Sequence, residues 1–126
     1  MGYKLKVKSK FSSAHALRGY PGECKALHGH NFLVECVVKV KDLDKIGVGF
    51  DFRELKNQLD TVIARLDHKN LNETPPFDKI NPTSENIAKY ICEELQKLLP
   101  ESVRITSLSV SESEKYTAIY EPDENL

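Results

Sequence analysis

The sequence predicts an α+β fold of order ββααββ, with one four-stranded antiparallel sheet and two helices on one of its faces. Three observations predict it. Apolar residues alternate with polar ones near the N-terminus and again over residues 28–41. Two later segments carry apolar residues every third or fourth position. Short segments rich in turn residues separate the strand-like stretches, which favours hairpins and hence antiparallel pairing.

The first strand is expected over residues 4–16, where Leu5, Val7 and Phe11 fall on even spacing. Arg18-Gly19-Tyr20-Pro21-Gly22-Glu23 is turn chemistry. The second strand, residues 28–41, places Phe32, Val34, Cys36, Val38 and Val40 on one face and Leu33, Glu35, Val37 and Lys39 on the other. That second face is more apolar than a half-exposed strand needs, and cover by another subunit would explain it. Asp51 is the expected N-cap of a helix carrying Phe52, Leu55, Leu59, Val62, Ile63 and Leu66 to an end near Asp67. Residues 70–81, with Pro75-Pro76 and Asn81-Pro82, are expected as loop. The second helix begins at Thr83 or Ser84, carries Ile87, Ile91, Leu95 and Leu98 as its apolar stripe, and stops before Pro100. Strands over residues 104–111 and 116–120, joined by a hairpin loop at 112–115, complete the order.

With 126 residues the chain is read as a single domain over 1–126, large enough to bury a core without disulfides. A net charge of −1 argues against a nucleic-acid or membrane partner held by bulk electrostatics, while a local basic cluster remains able to meet a small anion. No apolar stretch reaches membrane-spanning length and the first residues do not form a secretory signal. The three cysteines, Cys24, Cys36 and Cys92, are odd in number and far apart, which points to a reducing compartment and a cytoplasmic location. Cys36 and Cys92 sit in apolar patterns and read as buried structural thiols.

Three of the four histidines group around the first hairpin. His28-Gly29-His30 points two imidazoles to one face of a strand, with Gly29 allowing a bend or a close backbone approach. If the first two strands pair, His15 falls opposite them. Three imidazoles without a fourth protein ligand describe a catalytic metal site with an open position, and Zn2+ is the metal this donor set suits. Cys24, four residues before His28, is a fourth ligand, a thiolate base or an incidental loop thiol. Asp67-His68 is an acid/base pair or a helix cap beside a surface histidine. Glu112, at the end of the third strand, pairs with a donor-rich ligand edge or lies in solvent.

Taken together these residues resemble the 6-pyruvoyltetrahydropterin and 6-carboxytetrahydropterin synthase family. The resemblance runs in order through Phe11-Ser12-Ser13-Ala14-His15, Cys24-Lys25-Ala26-Leu27-His28-Gly29-His30-Asn31, Asp51-Phe52-Arg53-Glu54-Leu55-Lys56, Leu66-Asp67-His68-Lys69-Asn70-Leu71-Asn72, Asn81-Pro82-Thr83-Ser84-Glu85-Asn86 and Val110-Ser111-Glu112. It implies the tunnelling fold, with sheets of three subunits joined into a barrel, two trimers stacked as a hexamer, and active sites between subunits. It also implies a zinc lyase acting on 7,8-dihydroneopterin triphosphate. His15, His28 and His30 would hold the metal, Cys24 and the Asp67–His68 pair would be the catalytic acid/base groups, and Glu112 with Thr83 and Ser84 would hold the pterin. The three-residue interval between Cys24 and His28 looks like the carboxy branch, which releases acetaldehyde with triphosphate and feeds 7-deazapurine (queuosine-type) synthesis. The pyruvoyl branch is the alternative. A further branch uses glutamate in the cysteine's role and cleaves the side chain for folate synthesis; Cys24 argues against it, while the adjoining Glu23 leaves a mixed activity open. The hairpin Glu114-Lys115-Tyr116 is bulkier than the family pattern and would alter the pocket rim. A non-catalytic zinc-stabilised binder of pterins or purines is the rival of another class, and would need only Glu112 and the pocket.

Overall fold

In the computed structural model, which describes residues 1–19 and 26–123, the strands β1 (Tyr3–His15) and β2 (His28–Val40) form a long antiparallel ladder. They are followed by α1 (Phe52–Ile63), a short 3₁₀ turn at Leu71–Glu73, α2 (Ser84–Leu98), β3 (Arg104–Ser111) and β4 (Thr117–Tyr120). The four strands lie in the order β1-β2-β3-β4, all neighbours antiparallel.

Alternation along the strands decides which face is covered. Val7, Phe11, Phe32, Val34, Cys36, Val38, Leu108 and Val110 are buried beneath the helices. α1 packs over β1, and α2 over β3 and β4. The helices meet the sheet through Leu55, Leu59 and Val62 and through Ile87, Ile91 and Leu95. Each such side chain contributes about 1.5–3 kcal/mol by leaving water. No helix among the described residues is long and apolar enough to cross a membrane.

The helix N-termini are capped as their sequences require. Asp51 accepts from the Arg53 amide at 2.8 Å, and the Thr83 hydroxyl accepts from the Asn86 amide at 3.1 Å. The other ends depart from expectation. α1 stops at Ile63, because the Arg65 and Leu66 amides turn back only three residues, to Val62 and Ile63, and tighten the chain. Leu66 stays fully buried, which is why the helical period reads on past the helix. At the end of α2, Leu98 is exposed while Leu99, in an extended conformation, turns into the core. The loop expected over 70–81 contains the 3₁₀ turn, nucleated by Asn70 accepting from the Asn72 amide at 3.1 Å. β4 begins at Thr117, one residue later than expected.

A candidate metal centre beside a carboxylate-anchored cleft

The β1–β2 register puts His15 directly opposite His28, and Ser13 opposite His30. All three imidazoles therefore lie on the helix-covered face at one end of the sheet. Their ring centroids are 4.7–5.2 Å apart, and one ligand atom from each lies within 4.8 Å of the others. Phe32, itself stacked on Phe11 at 4.8 Å, closes the apolar side of the cluster against His15 and His30.

Backbone carbonyls set the tautomers of two rings. His15 Nδ1 lies 2.7 Å from the Pro82 carbonyl and His28 Nδ1 lies 2.7 Å from that of Ala26. A carbonyl can only accept, so both Nδ1 atoms donate and both Nε2 atoms keep a free lone pair. Burial lowers the pKa of the fully buried His15 below the ordinary histidine value, outweighing the Pro82 bond and nearby Glu112, and favours the neutral imidazole that a metal needs. Among the described residues, the buried side-chain nitrogens and oxygens without a hydrogen-bond partner are His15 Nε2 and His30 Nε2. Each such orphan costs about 1–3 kcal/mol, which a shared cation would offset. The donor set and the two orphaned atoms fit a divalent metal.

Glu112 stands next to this cluster, with Oε2 3.9 Å from His30 Nε2. Its Oε1 accepts from the Ser84 hydroxyl at 2.6 Å, at the start of α2. Both residues, with Thr83, Leu17 and Tyr116–Ile119, line an open cleft of about 520 Å³. The helix supplies further positive potential, since its unpaired first amides face this end. The Thr83 hydroxyl accepts the cap bond from the Asn86 amide and keeps its own O–H to donate at the rim.

Asp67 and His68 are placed differently. Asp67 Oδ1 accepts from the Ser12 amide at 2.9 Å and Oδ2 pairs with His68 Nδ1 at 3.0 Å. The Ser12 bond first, then His68, holds the Asp67 carboxyl below its usual range. The His68 amide donates to Ser12 at 2.6 Å and its backbone takes the left-handed conformation, φ 56°. Its ring, 81% exposed, borders a shallow depression shared with Ser12, Ser13, Gly29, His30 and Asn31, and is not one of the three clustered imidazoles. Cys24 lies outside the described residues. Gly29 shows no close approach within the protomer, since an added Cβ would meet only Ser13 O at 3.9 Å.

The sequence reading missed the clasp that sets the His15 carbonyl partner. Arg18 donates to the carbonyls of Phe77 at 2.7 Å and of Asn72 and Ile80 at 3.3 Å. Asn72 and Asn81 return bonds to the backbone of Ala16 and Arg18. The Asn-Pro and Pro-Pro pairs signalled a loop, but nothing in them says which carbonyls an arginine far off in sequence will bind.

A three-imidazole group with an open side, able to hold a metal ion, stands beside a carboxylate facing a cleft. Comparison with known proteins shows the family and the fold. The sequence model for 6-pyruvoyl tetrahydropterin synthase matches residues 4–123. A Pyrococcus furiosus protein named dihydroneopterin monophosphate aldolase is 38% identical over 116 residues, spanning 92% of this chain and 95% of that one. A provisionally named 6-carboxy-5,6,7,8-tetrahydropterin synthase of Archaeoglobus fulgidus is 35% identical over 108 residues, 86% of each chain. The solved Caenorhabditis elegans 6-pyruvoyl tetrahydropterin synthase superposes with a TM-score of 0.87 over 98% of this chain and 97% of that one, at 24% identity, and so has the same fold. The chain belongs to the 6-pyruvoyl tetrahydropterin synthase family, whose enzymes are lyases acting on pterins, and its sheet and helices are the tunnelling fold.

Proposed function

We propose that the protein is a zinc-dependent lyase converting 7,8-dihydroneopterin triphosphate to 6-carboxy-5,6,7,8-tetrahydropterin, with release of acetaldehyde and triphosphate. The observation that carries this reading is the placement of Glu112 beside the three-imidazole cluster, 3.9 Å from His30. Such spacing suits a ligand whose flat, donor-rich end meets a carboxylate while its hydroxylated side chain reaches the metal. Zinc held by His15, His28 and His30 supplies Lewis acidity toward the side-chain hydroxyls.

The chain's own residues divide the remaining work. Glu112 accepts from the amino and ring N–H groups of the pterin, a charge-assisted pairing. Ser84, bonded to Oε1, holds that carboxylate in plane, and Thr83 keeps the helix start in place. Cys24 takes a proton from the side chain as a thiolate. His68, oriented by Asp67, is the second acid/base group, and reaches a site from across a subunit boundary in a homo-oligomer, a hexamer built as two trimers.

A second reading is favoured by the 38% identical relative named dihydroneopterin monophosphate aldolase. In that case the same groups cleave a side-chain carbon–carbon bond of a monophosphate ester, without loss of phosphate. Product analysis of the zinc-loaded protein with each ester decides between them, with Cys24→Ala alongside. Acetaldehyde and a 6-carboxypterin from the triphosphate, both lost in the variant, are expected. A 6-pyruvoyl product without acetaldehyde would move the protein to the pyruvoyl branch, and cleavage of the monophosphate alone would establish the aldolase. No turnover with pterin still bound would leave a binding protein and sink the enzymatic reading.

A further inference from the structure

We propose that the free face of the sheet binds a linear phosphate chain along a ladder of lysines. In β1 the residues Leu5, Val7, Ser9 and Phe11 turn toward the helices, so the intervening Lys4, Lys6, Lys8 and Lys10 share the opposite face. All four are exposed. β2 adds the exposed Lys39, paired in register directly opposite Lys4. The strand residues on this face hold one carboxylate, Glu35, which bridges Lys6 at 3.2 Å and Lys8 at 3.5 Å. Five ammonium groups against one carboxylate, in a chain of net charge −1, amount to a strong segregation of charge onto one surface.

Like charges placed directly across an antiparallel ladder destabilise it, and Lys4 and Lys39 are so placed. A bound polyanion reverses the sign of that interaction. Alternate residues of a strand lie about 6.6 Å apart, so Lys4 to Lys10 form a row about 20 Å long. The row suits a ligand whose charge repeats along its length, and a compact anion would meet only one or two of its members. Single-stranded nucleic acid is usually held by aromatic platforms under its bases. None of the strand residues on this face is aromatic. A flexible inorganic polyphosphate needs charge alone. Binding here is independent of the reaction proposed above.

The test is titration of a fluorescent long-chain polyphosphate with the zinc-loaded protein at low and physiological salt. Wild type is compared with K4Q/K6Q/K8Q/K10Q, the matching four-arginine variant, and K89Q on the exposed side of α2. Salt-dependent binding that falls at least tenfold in the glutamine variant, and survives in the arginine and K89Q variants, is expected. Should the fourfold glutamine variant not fold, K4Q/K10Q leaves both Glu35 partners in place and is expected to lose severalfold. Equal binding by the glutamine variants would place the anion elsewhere, the metal centre included, and overturn the proposal. Tripolyphosphate binding as tightly as the long chain would overturn the ladder, and tighter binding of oligo-dT would overturn the choice of ligand.

Discussion

In the proposed reaction Glu112 concentrates the recognition chemistry in one side chain, with one of its oxygens held by Ser84 and the other facing His30. Glu112→Gln keeps the shape and removes the charge. It is expected to weaken pterin binding by about 1.5–3 kcal/mol, or roughly 10–150-fold, with metal content unchanged. Equilibrium binding of a dihydropterin, beside zinc analysis, reads both. Asp67 carries a different expectation. Its carboxyl is held low by the Ser12 amide and by His68, so the charged form is favoured in the folded state. That contribution is fully present above the unfolded value of about 3.9 and is lost as pH falls through the lower folded value. Denaturant midpoints of wild type and Asp67→Asn are therefore expected to differ at pH 7 and to converge below about pH 4. A gap that persists in acid would mean that Asp67 acts through packing and not through its charge.

The element that decides the metal centre is the loop between the 3₁₀ turn and α2. It carries Pro82, whose carbonyl fixes His15, and Arg18 clasps it through the carbonyls of Phe77 and Ile80 while also holding that of Asn72 in the turn. Partners behind a metal ligand are typically worth 10–100-fold in metal affinity. Arg18→Ala is expected to lower zinc affinity by that order, measured by competition with a chromophoric chelator. The unfolding midpoint of the metal-free protein should shift less, because two of the three clasp bonds, to Ile80 and Asn72, are solvent-exposed and all three are made to backbone carbonyls rather than to packed side chains. Arg18→Lys, a single point donor that cannot hold three carbonyls at once, should recover only part of the loss.

At the scale of the whole molecule, the Asp67–His68 pair and the three-histidine cluster lie at one end of the sheet, yet the His68 ring faces solvent and is not among the clustered imidazoles. Assembly resolves that separation if a site is built from two chains. Among the described residues β4 pairs only with β3, and β1 only with β2 apart from a single bridge between Ala14 and Asn70, so both edges offer backbone groups for a neighbouring chain. Mixing His68→Ala with Glu112→Gln protein, followed by subunit exchange, is expected to restore product formation well above either variant alone. Mixed oligomers with no recovered activity would show that each site is complete within one chain.

The strands, the helices and the shared face of His15, His28 and His30 were legible in the sequence, because period-2 and period-3.6 patterns report directly on burial and two residues of separation on a strand fix a common face. The family motifs added Glu112, Thr83 and Ser84, and the structure brings these three together in one cleft beside the histidines. The early end of α1, the turn of Leu99 into the core and the Arg18 clasp were not legible. Each depends on where a backbone carbonyl or amide finds its partner, and every backbone carries the same groups whatever the side chain. Sequence alone therefore determined which imidazoles share one face as candidate metal ligands and which residues face the core. Only the tertiary structure decided which carbonyls orient the histidines, that Asp67 anchors the edge of β1, and that a row of lysines is left together on the uncovered face.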